Sequence, residues 1–446
     1  MRGSIIKVIL LAVSLGCYIW LGYFTVRTNF NQVVLLYFAL FGLYFAALRL
    51  HLFGGGWKRL LAAAILLRIC LLFMIPNLSD DYFRFIWDGL FTAAGQNPYL
   101  VMPSTYMAGA QAVPGITDYL FQHLNSQQYY TVYPPVCQAI FGFSARVCGA
   151  DIFWNVLMMR LFILLADLGT IMLLFKIARM LDFKPSSVAV YAFNPLVIME
   201  LTGNLHFEAV MLFFLALAVY LLAINRWPYS ASSYGLSAGA KLVPLIFLPL
   251  LVRRLGWRRS LAYFAITGLV LILIFIPFMN LQLAANLASS LGLYFQKFEF
   301  NASVYYLARW LGYLLTGYNT IAILGVALPL FSLALIILIA AREKKPAWET
   351  FFTGMLLCGT AYYLLATTVH PWYIATLVLA SAFSRYRYAL IWSMLIVLSY
   401  SAYGSVPYTE NLWLVVLEYV VVLGWMGYEF LVQPRLKATA TPQLRP

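Results

Sequence analysis

The chain has 446 residues, 63% hydrophobic and only 10% charged, with a mean hydropathy of +0.85 and a formal net charge of +14. This composition excludes a soluble domain and indicates a polytopic membrane protein. Nucleic acid is excluded as a partner of the positive charge, because the basic residues sit mostly in short loops between apolar runs, the pattern of the positive-inside rule.

Apolar runs of membrane-crossing length are expected at 5–26, 33–50, 58–76, 152–178, 186–202, 206–224, 260–279, 318–341, 347–368, 371–385, 388–403 and 411–431. Together they predict about twelve crossings of an all-α protein. The first run is too long for a removable signal and lacks a small-residue cleavage site, so it reads as a retained helix. With these spans, most Lys and Arg side chains fall on one face, from Arg2 and Lys7 through Arg253, Arg254, Lys344 and Lys345 to Arg435, Lys437 and Arg445. Arg27, Arg84, Arg146, Lys297 and Arg309 fall on the other. Both termini are therefore expected in the cytoplasm. A single membrane domain is expected over 1–432, followed by a cytoplasmic tail at 433–446.

Residues 231–252 are largely apolar, yet Arg226 before them and Arg253-Arg254 after them carry the same inside signal. A re-entrant pair of short helices meeting near Lys241-Leu242-Val243-Pro244 reconciles the two. A single span with a long basic exit loop is the alternative. The opposite face collects loops at 77–151, 202–208, 280–304, 367–373 and 403–411. The first is the longest and is expected to carry interfacial helices, with Trp87, Tyr99, Tyr106, Tyr119, Tyr129, Tyr130 and Tyr133 as interfacial aromatics. The five cysteines have no metal-ligand spacing and read as free thiols.

Chemistry concentrates in Ser79-Asp80-Asp81-Tyr82-Phe83-Arg84-Phe85-Ile86-Trp87-Asp88-Gly89. Three carboxylates and an arginine at the lip of an apolar segment are costly unless they serve a function. Asp80, Arg84 and Asp88 recur at i, i+4 and i+8, which predicts a charge ladder on one helix face. Asp81 lies off that face, and adjacent carboxylates raise one another's pKa. Either Asp81 or Asp80 then suits a general base acting on a hydroxyl.

Gly95-Gln96-Asn97-Pro98-Tyr99 and Tyr133-Pro134-Pro135 are stiff turns whose tyrosines can stack on a sugar ring. Asn194-Pro195 predicts a kink. Beyond it, His206 lies near Glu200, Asn204 and Glu208, and His370-Pro371-Trp372-Tyr373 begins a later span on the same face. His206, His370 and Lys241 can hold an anion in a low-dielectric site. No glycine-rich phosphate loop, His/Cys metal set or Ser-His-Asp signature occurs. A donor carried by lipid fits that pattern.

In order, Ser-Asp-Asp-Tyr-Phe-Arg-Phe-Ile-Trp-Asp-Gly, Gly-Gln-Asn-Pro-Tyr, Tyr-Pro-Pro, Asn-Pro-Leu-Val-Ile-Met-Glu, Gly-Asn-Leu-His-Phe-Glu-Ala, Ala-Lys-Leu-Val-Pro and His-Pro-Trp-Tyr resemble the GT-C superfamily of polyprenyl-phosphate-sugar glycosyltransferases. The resemblance runs from about Asp80 to Tyr373 and is greatest to bacterial mannosyltransferase-like members. It implies an inverting transfer of a hexose, mannose foremost, from a polyprenyl-phosphate donor to a glycolipid or glycan acceptor on the extracytoplasmic face. It also implies an acidic base in the first large loop, with an aromatic four residues later. Phe85 stands at that distance from Asp81, which favours Asp81 over Asp80. The acidic doublet leaves a divalent cation open, and no metal ligands are assigned.

Lys241, His206, His370 and Arg84 are then expected on the donor phosphate. Asp88, Asn97, Tyr99, Tyr133, Glu200, Asn204, Glu208, Trp372 and Tyr373 are expected to line the substrate site. A lipid or sugar transporter is the rival from another class, and transfer of another lipid-linked sugar onto lipid A or cell-wall glycan is the rival enzyme. The bacterial inner membrane is the expected location.

Overall fold

The computed structural model describes residues 2–50, 56–109, 113–343, 346–405 and 408–433. Lys344, Lys345, Arg435, Lys437, Arg445 and the expected tail from 434 lie outside the described residues. The fold is helical throughout, and among the described residues the only strand-like feature is an isolated bridge between Phe300 and Thr368. Successive long helices are α1 (Arg2–Tyr23), α2 (Phe30–Arg49), α3 (Trp57–Ile69), α4 (Asp81–Ala93), α5 (Pro135–Cys148), α6 (Ile152–Met180), α7 (Glu208–Ala223), α8 (Trp227–Ala240) and α9 (Trp257–Phe275). They continue with α10 (Leu283–Gln296), α11 (Val304–Thr316), α12 (Ile321–Ala341), α13 (Trp348–Leu365) and α14 (Leu412–Gly427).

Among the described residues, six helices are long and apolar enough to cross a membrane, and a bent pair raises the number to seven. Of the other expected crossings, 347–368 forms the continuous 18-residue α13, and the rest fold as shorter or broken pieces. Residues 58–76 yield the 13-residue α3, and 388–403 divide into a short α-helix and a 3₁₀ segment. The run at 186–202 breaks at Asn194-Pro195, where proline cannot continue the hydrogen-bond ladder. The Asn194 side chain caps the restart, accepting from Leu196 N at 3.0 Å. A π-helical turn, Val197–Gly203, follows, and the chain then bends by 113° into α7.

Broken helices leave backbone carbonyls without partners in an apolar interior. Two buried arginines supply donors to them. Arg160 donates to the carbonyls of Leu72, Met74, Thr202 and Gly203, joining the end of the α3 region to the π turn. Arg68 donates to Ala192 O at 2.9 Å and pairs with Asp167 at 2.6 Å. Both arginines lie well inside expected spans, 58–76 and 152–178.

The long loop at 77–151 is built on α4 and α5. Two of its expected interfacial aromatics are buried instead, Trp87 and Tyr99, at 1% and 0% exposure. Trp87 packs among Phe91, Tyr106 and Phe121 within the loop, and Tyr99 packs against Phe275 and Phe278 at the far end of α9. At Gly89 a Cβ would meet the Phe141 carbonyl oxygen at 2.5 Å, so the close crossing of α4 and α5 requires glycine. The break expected at 241–244 is present. Helix α8 ends at Ala240, Lys241 is extended, and a proline-bearing 3₁₀ segment runs from Val243 to Leu251.

Candidate active site

Asp81 is the first residue of α4, and Asp80 stands at the N-cap position without a capping side-chain hydrogen bond. The adjacent carboxylates diverge to different partners. Asp80 pairs with Arg27 from the α1–α2 connection, and the Arg27 guanidinium also donates to the Tyr408 hydroxyl at 3.0 Å. Asp81 accepts from Asn125 Nδ2 at 2.8 Å and from the Tyr133 hydroxyl at 3.3 Å. Burial raises the Asp81 pKa, and the two donors and the Lys241 charge offset that only in part. Asp81 is thus a carboxylate with raised basicity, held by neutral donors.

The rest of the cluster comes from distant chain segments. The Lys241 ammonium, at the break after α8, lies 3.1 Å from Glu208 Oε1 and 5.0 Å from the centre of the Tyr133 ring. Glu208 opens α7, and its second oxygen is buried without a hydrogen-bond partner. Leu205, in a left-handed conformation at φ 68°, turns the chain before His206.

The His206 ring stacks on Trp372 at 3.7 Å, and Trp372 stacks on His370 at 4.5 Å. Phe300 covers the other face of His370 at 4.9 Å. Burial, with the Lys241 charge, pushes His370 down to about 3, so its imidazole is neutral at physiological pH. Its Nδ1 is buried and has no hydrogen-bond partner. Either histidine can offer a neutral N–H to an anion.

Glu200 is walled in, accepting from Tyr400 at 2.9 Å and Asn204 at 3.0 Å, with His206 Nε2 at 3.6 Å. Tyr373 packs edge-on to His370 and stacks on Tyr363. The structure therefore brings Asp81, Tyr133, Lys241, Glu208, His206, His370 and Trp372 into one connected network, with Glu200, Asn204 and Tyr373 behind it.

Other expected site residues have different surroundings. The ladder Asp80-Arg84-Asp88 is cut short, because Asp80 lies outside the helix and turns to Arg27. Arg84 Nε donates to Asp88 at 2.8 Å, and Arg84 NH1 donates to the carbonyls of Ser126 and Tyr129. Asp88 also accepts from Thr131 and Gln138. This buried knot ties residues 126–131 to α4. Asn97 donates to Phe278 O, and Tyr99 has its hydroxyl on Tyr133 O and its ring against Phe278. The Tyr99 ring has no open face for a sugar.

Asn125, Phe300 and Arg27 entered no motif. Arg27 was traceable as one of few cations on the acidic face; Asn125 and Phe300 carried no local signal. Among the described residues, no three His, Cys, Asp or Glu side chains gather as a metal set.

The family model described as "Alpha-(1->6)-mannopyranosyltransferase, N-terminal domain" matches residues 10–256, more than half of the chain. Comparison with curated proteins and with solved structures gave no match. The matched segment contains Asp81, Tyr133, His206, Glu208 and Lys241. The chain is a glycosyltransferase of GT-C type, and it belongs to the MptA/B family of alpha-(1->6)-mannopyranosyltransferases.

Proposed function

We propose that the protein transfers mannose from a polyprenyl-phosphate donor to the primary 6-hydroxyl of a mannose on a lipid- or glycan-linked acceptor, on the extracytoplasmic face of a bacterial inner membrane. Asp81 takes the hydroxyl proton as the oxygen attacks the anomeric carbon. The bond from that carbon to the phosphate oxygen breaks, and the lipid phosphate leaves with the electron pair. Attack opposite the leaving group inverts the centre, so an α-linked product requires a β-linked donor. Phosphate is already a good leaving group, so a strong general acid is not required.

Lys241 and the neutral His206 and His370 face the departing phosphate charge, where preorganised donors act most strongly. Trp372, sandwiched between the histidines, fixes their planes. Arg84 and Asp88 hold the loop that carries Asn125 and Tyr133. The observation that carries the reading is the placement of Asp81 in one network with Lys241 while Asp80 is neutralised by Arg27.

The test is transfer of radiolabelled mannose from synthetic polyprenyl-phosphate-mannose by purified protein in lipid, with a mannosylated glycolipid extract as acceptor. Asp81→Asn should lower the rate by roughly 10²–10⁴-fold, the range of general-base catalysis. Asp80→Asn should retain most activity. Transfer lost only in Asp80→Asn would reverse the base, and no transfer by folded wild type from any lipid-linked hexose would sink the reading.

A further inference from the structure

The opposite ends of α1, α2 and α3 enclose a cavity of about 240 Å³ whose lining is separate from the cluster around Asp81. Lys7 and Arg59 contribute to its lining, and both are exposed. Neither has an ion-pair partner among the described residues. No Asp or Glu lines it. Below the cations the walls are apolar, with Leu11, Leu40 and Leu67 among them and Tyr18 at depth. Ser14, also in the wall, donates its hydroxyl to Leu10 O at 2.7 Å, so it offers no free donor.

The dimensions identify the ligand class. From Lys7 to Tyr18 the α1 helix rises roughly 16 Å at 1.5 Å per residue. Half of a ~30 Å hydrocarbon core is about the same depth. From Lys7 to Tyr23, where α1 ends four residues before the Arg27 that meets Asp80, the helix rises about 24 Å, so the groove opens at the surface opposite the acidic loop. A pair of cations at headgroup level above an apolar channel one leaflet deep complements a lipid with an anionic head and a fatty acyl tail. Basic pockets between membrane helices bind anionic headgroups by this charge match.

We infer that this groove is a binding site for an anionic phospholipid of the surrounding leaflet. The phosphodiester sits between Lys7 and Arg59, and one acyl chain lies along α1 between α2 and α3. A polyprenyl chain is longer than the channel, which favours the phospholipid as occupant.

Native mass spectrometry of the purified full chain in neutral detergent tests this, with dioleoyl phosphatidylglycerol and dioleoyl phosphatidylcholine at equal concentration. Wild type should retain the anionic lipid by roughly tenfold or more over the zwitterionic one, as expected for two cations near a lipid headgroup. Lys7→Ala/Arg59→Ala should abolish the preference, with an unchanged size-exclusion profile as the check on folding. Ala63→Phe, which fills the groove while keeping both cations, should lose the retained lipid. Equal retention of both lipids by wild type overturns the inference, as does a preference that survives in the double variant. Displacement of phosphatidylglycerol by an equimolar polyprenyl phosphate overturns the assigned occupant.

Discussion

The Lys241 ammonium lies 3.1 Å from Glu208 Oε1, and this ion pair bridges the break after α8 to the first residue of α7. The ammonium also lies 5.0 Å from the centre of the Tyr133 ring, so in the proposed mechanism the pair sets where a positive charge meets the donor phosphate. Lys241→Met should lower kcat by roughly 10²–10³-fold, the cost of removing a preorganised electrostatic donor. It should also destabilise the fold, because Glu208 is then a buried carboxylate without its cation. Lys241→Met/Glu208→Gln separates the effects: melting temperature should recover and activity should not. Parallel transfer assays and thermal melts check this, and recovery of activity in the double variant would show that Lys241 acts only through stability.

The pH dependence follows from Asp81. A general base works deprotonated, so the rate rises with pH through its raised pKa, and the acid limb should lie above the usual aspartate range. Tyr133 and Asn125 both donate to the carboxylate and favour its charged form. Removing either raises the pKa further. Tyr133→Phe and Asn125→Ala should therefore move the acid limb of kcat/KM to higher pH, while Asn125→Asp adds a second acid and moves it further still. His370, pushed down to about 3, should contribute no limb near neutrality. A limb that stays in place in Tyr133→Phe would remove Asp81 from the base role.

The same raised pKa has a consequence for stability. A carboxyl whose folded pKa exceeds its unfolded value favours the folded state while protonated. That contribution is complete below about pH 3.9 and is lost as pH rises through the folded pKa. At neutral pH the ionised Asp81 is thus a charge that costs the fold stability. Asp81→Asn should melt about 1–3 °C higher than wild type at pH 7.5, with the gain shrinking toward pH 4. Scanning calorimetry at the two pH values reads the sign directly.

The sequence made the site legible where a run of residues announces its own chemistry. Asp81, His206, Lys241 and His370 each sit in a short polar motif against an apolar background, and the fold brings them together. Spans were legible where the run is uninterrupted, as in α6, whose range of Ile152–Met180 nearly coincides with the apolar stretch at 152–178. Interrupted runs were not, because hydropathy registers a proline but not the helix lengths left on either side of it.

Partnerships were also hidden. Asp80 meets Arg27 across a helix end, and Asn125 reaches Asp81 from 44 residues away. Asn301 donates to Glu418 and takes a left-handed φ of 47° that no neighbouring residue predicts. Helical spacing allowed Arg84 to pair with either acid of its ladder. Only the position of the helix start, one residue after Asp80, decides for Asp88.

That choice yields a prediction that separates structure from catalysis. Arg84 and Asp88 are 3% and 0% exposed, and together they bind Ser126, Tyr129, Thr131 and Gln138. Removing one member of a buried ion pair costs about 3–5 kcal/mol, because the other charge is left without compensation. Arg84→Ala and Asp88→Ala should each lower the melting temperature by several degrees and reduce the yield of folded protein. The surviving folded fraction of either variant should keep a donor KM within a few-fold of wild type, since neither side chain belongs to the Asp81–Lys241 network. A donor KM raised by an order of magnitude in Arg84→Ala, with Asp88→Ala unchanged, would instead place the guanidinium on the donor phosphate.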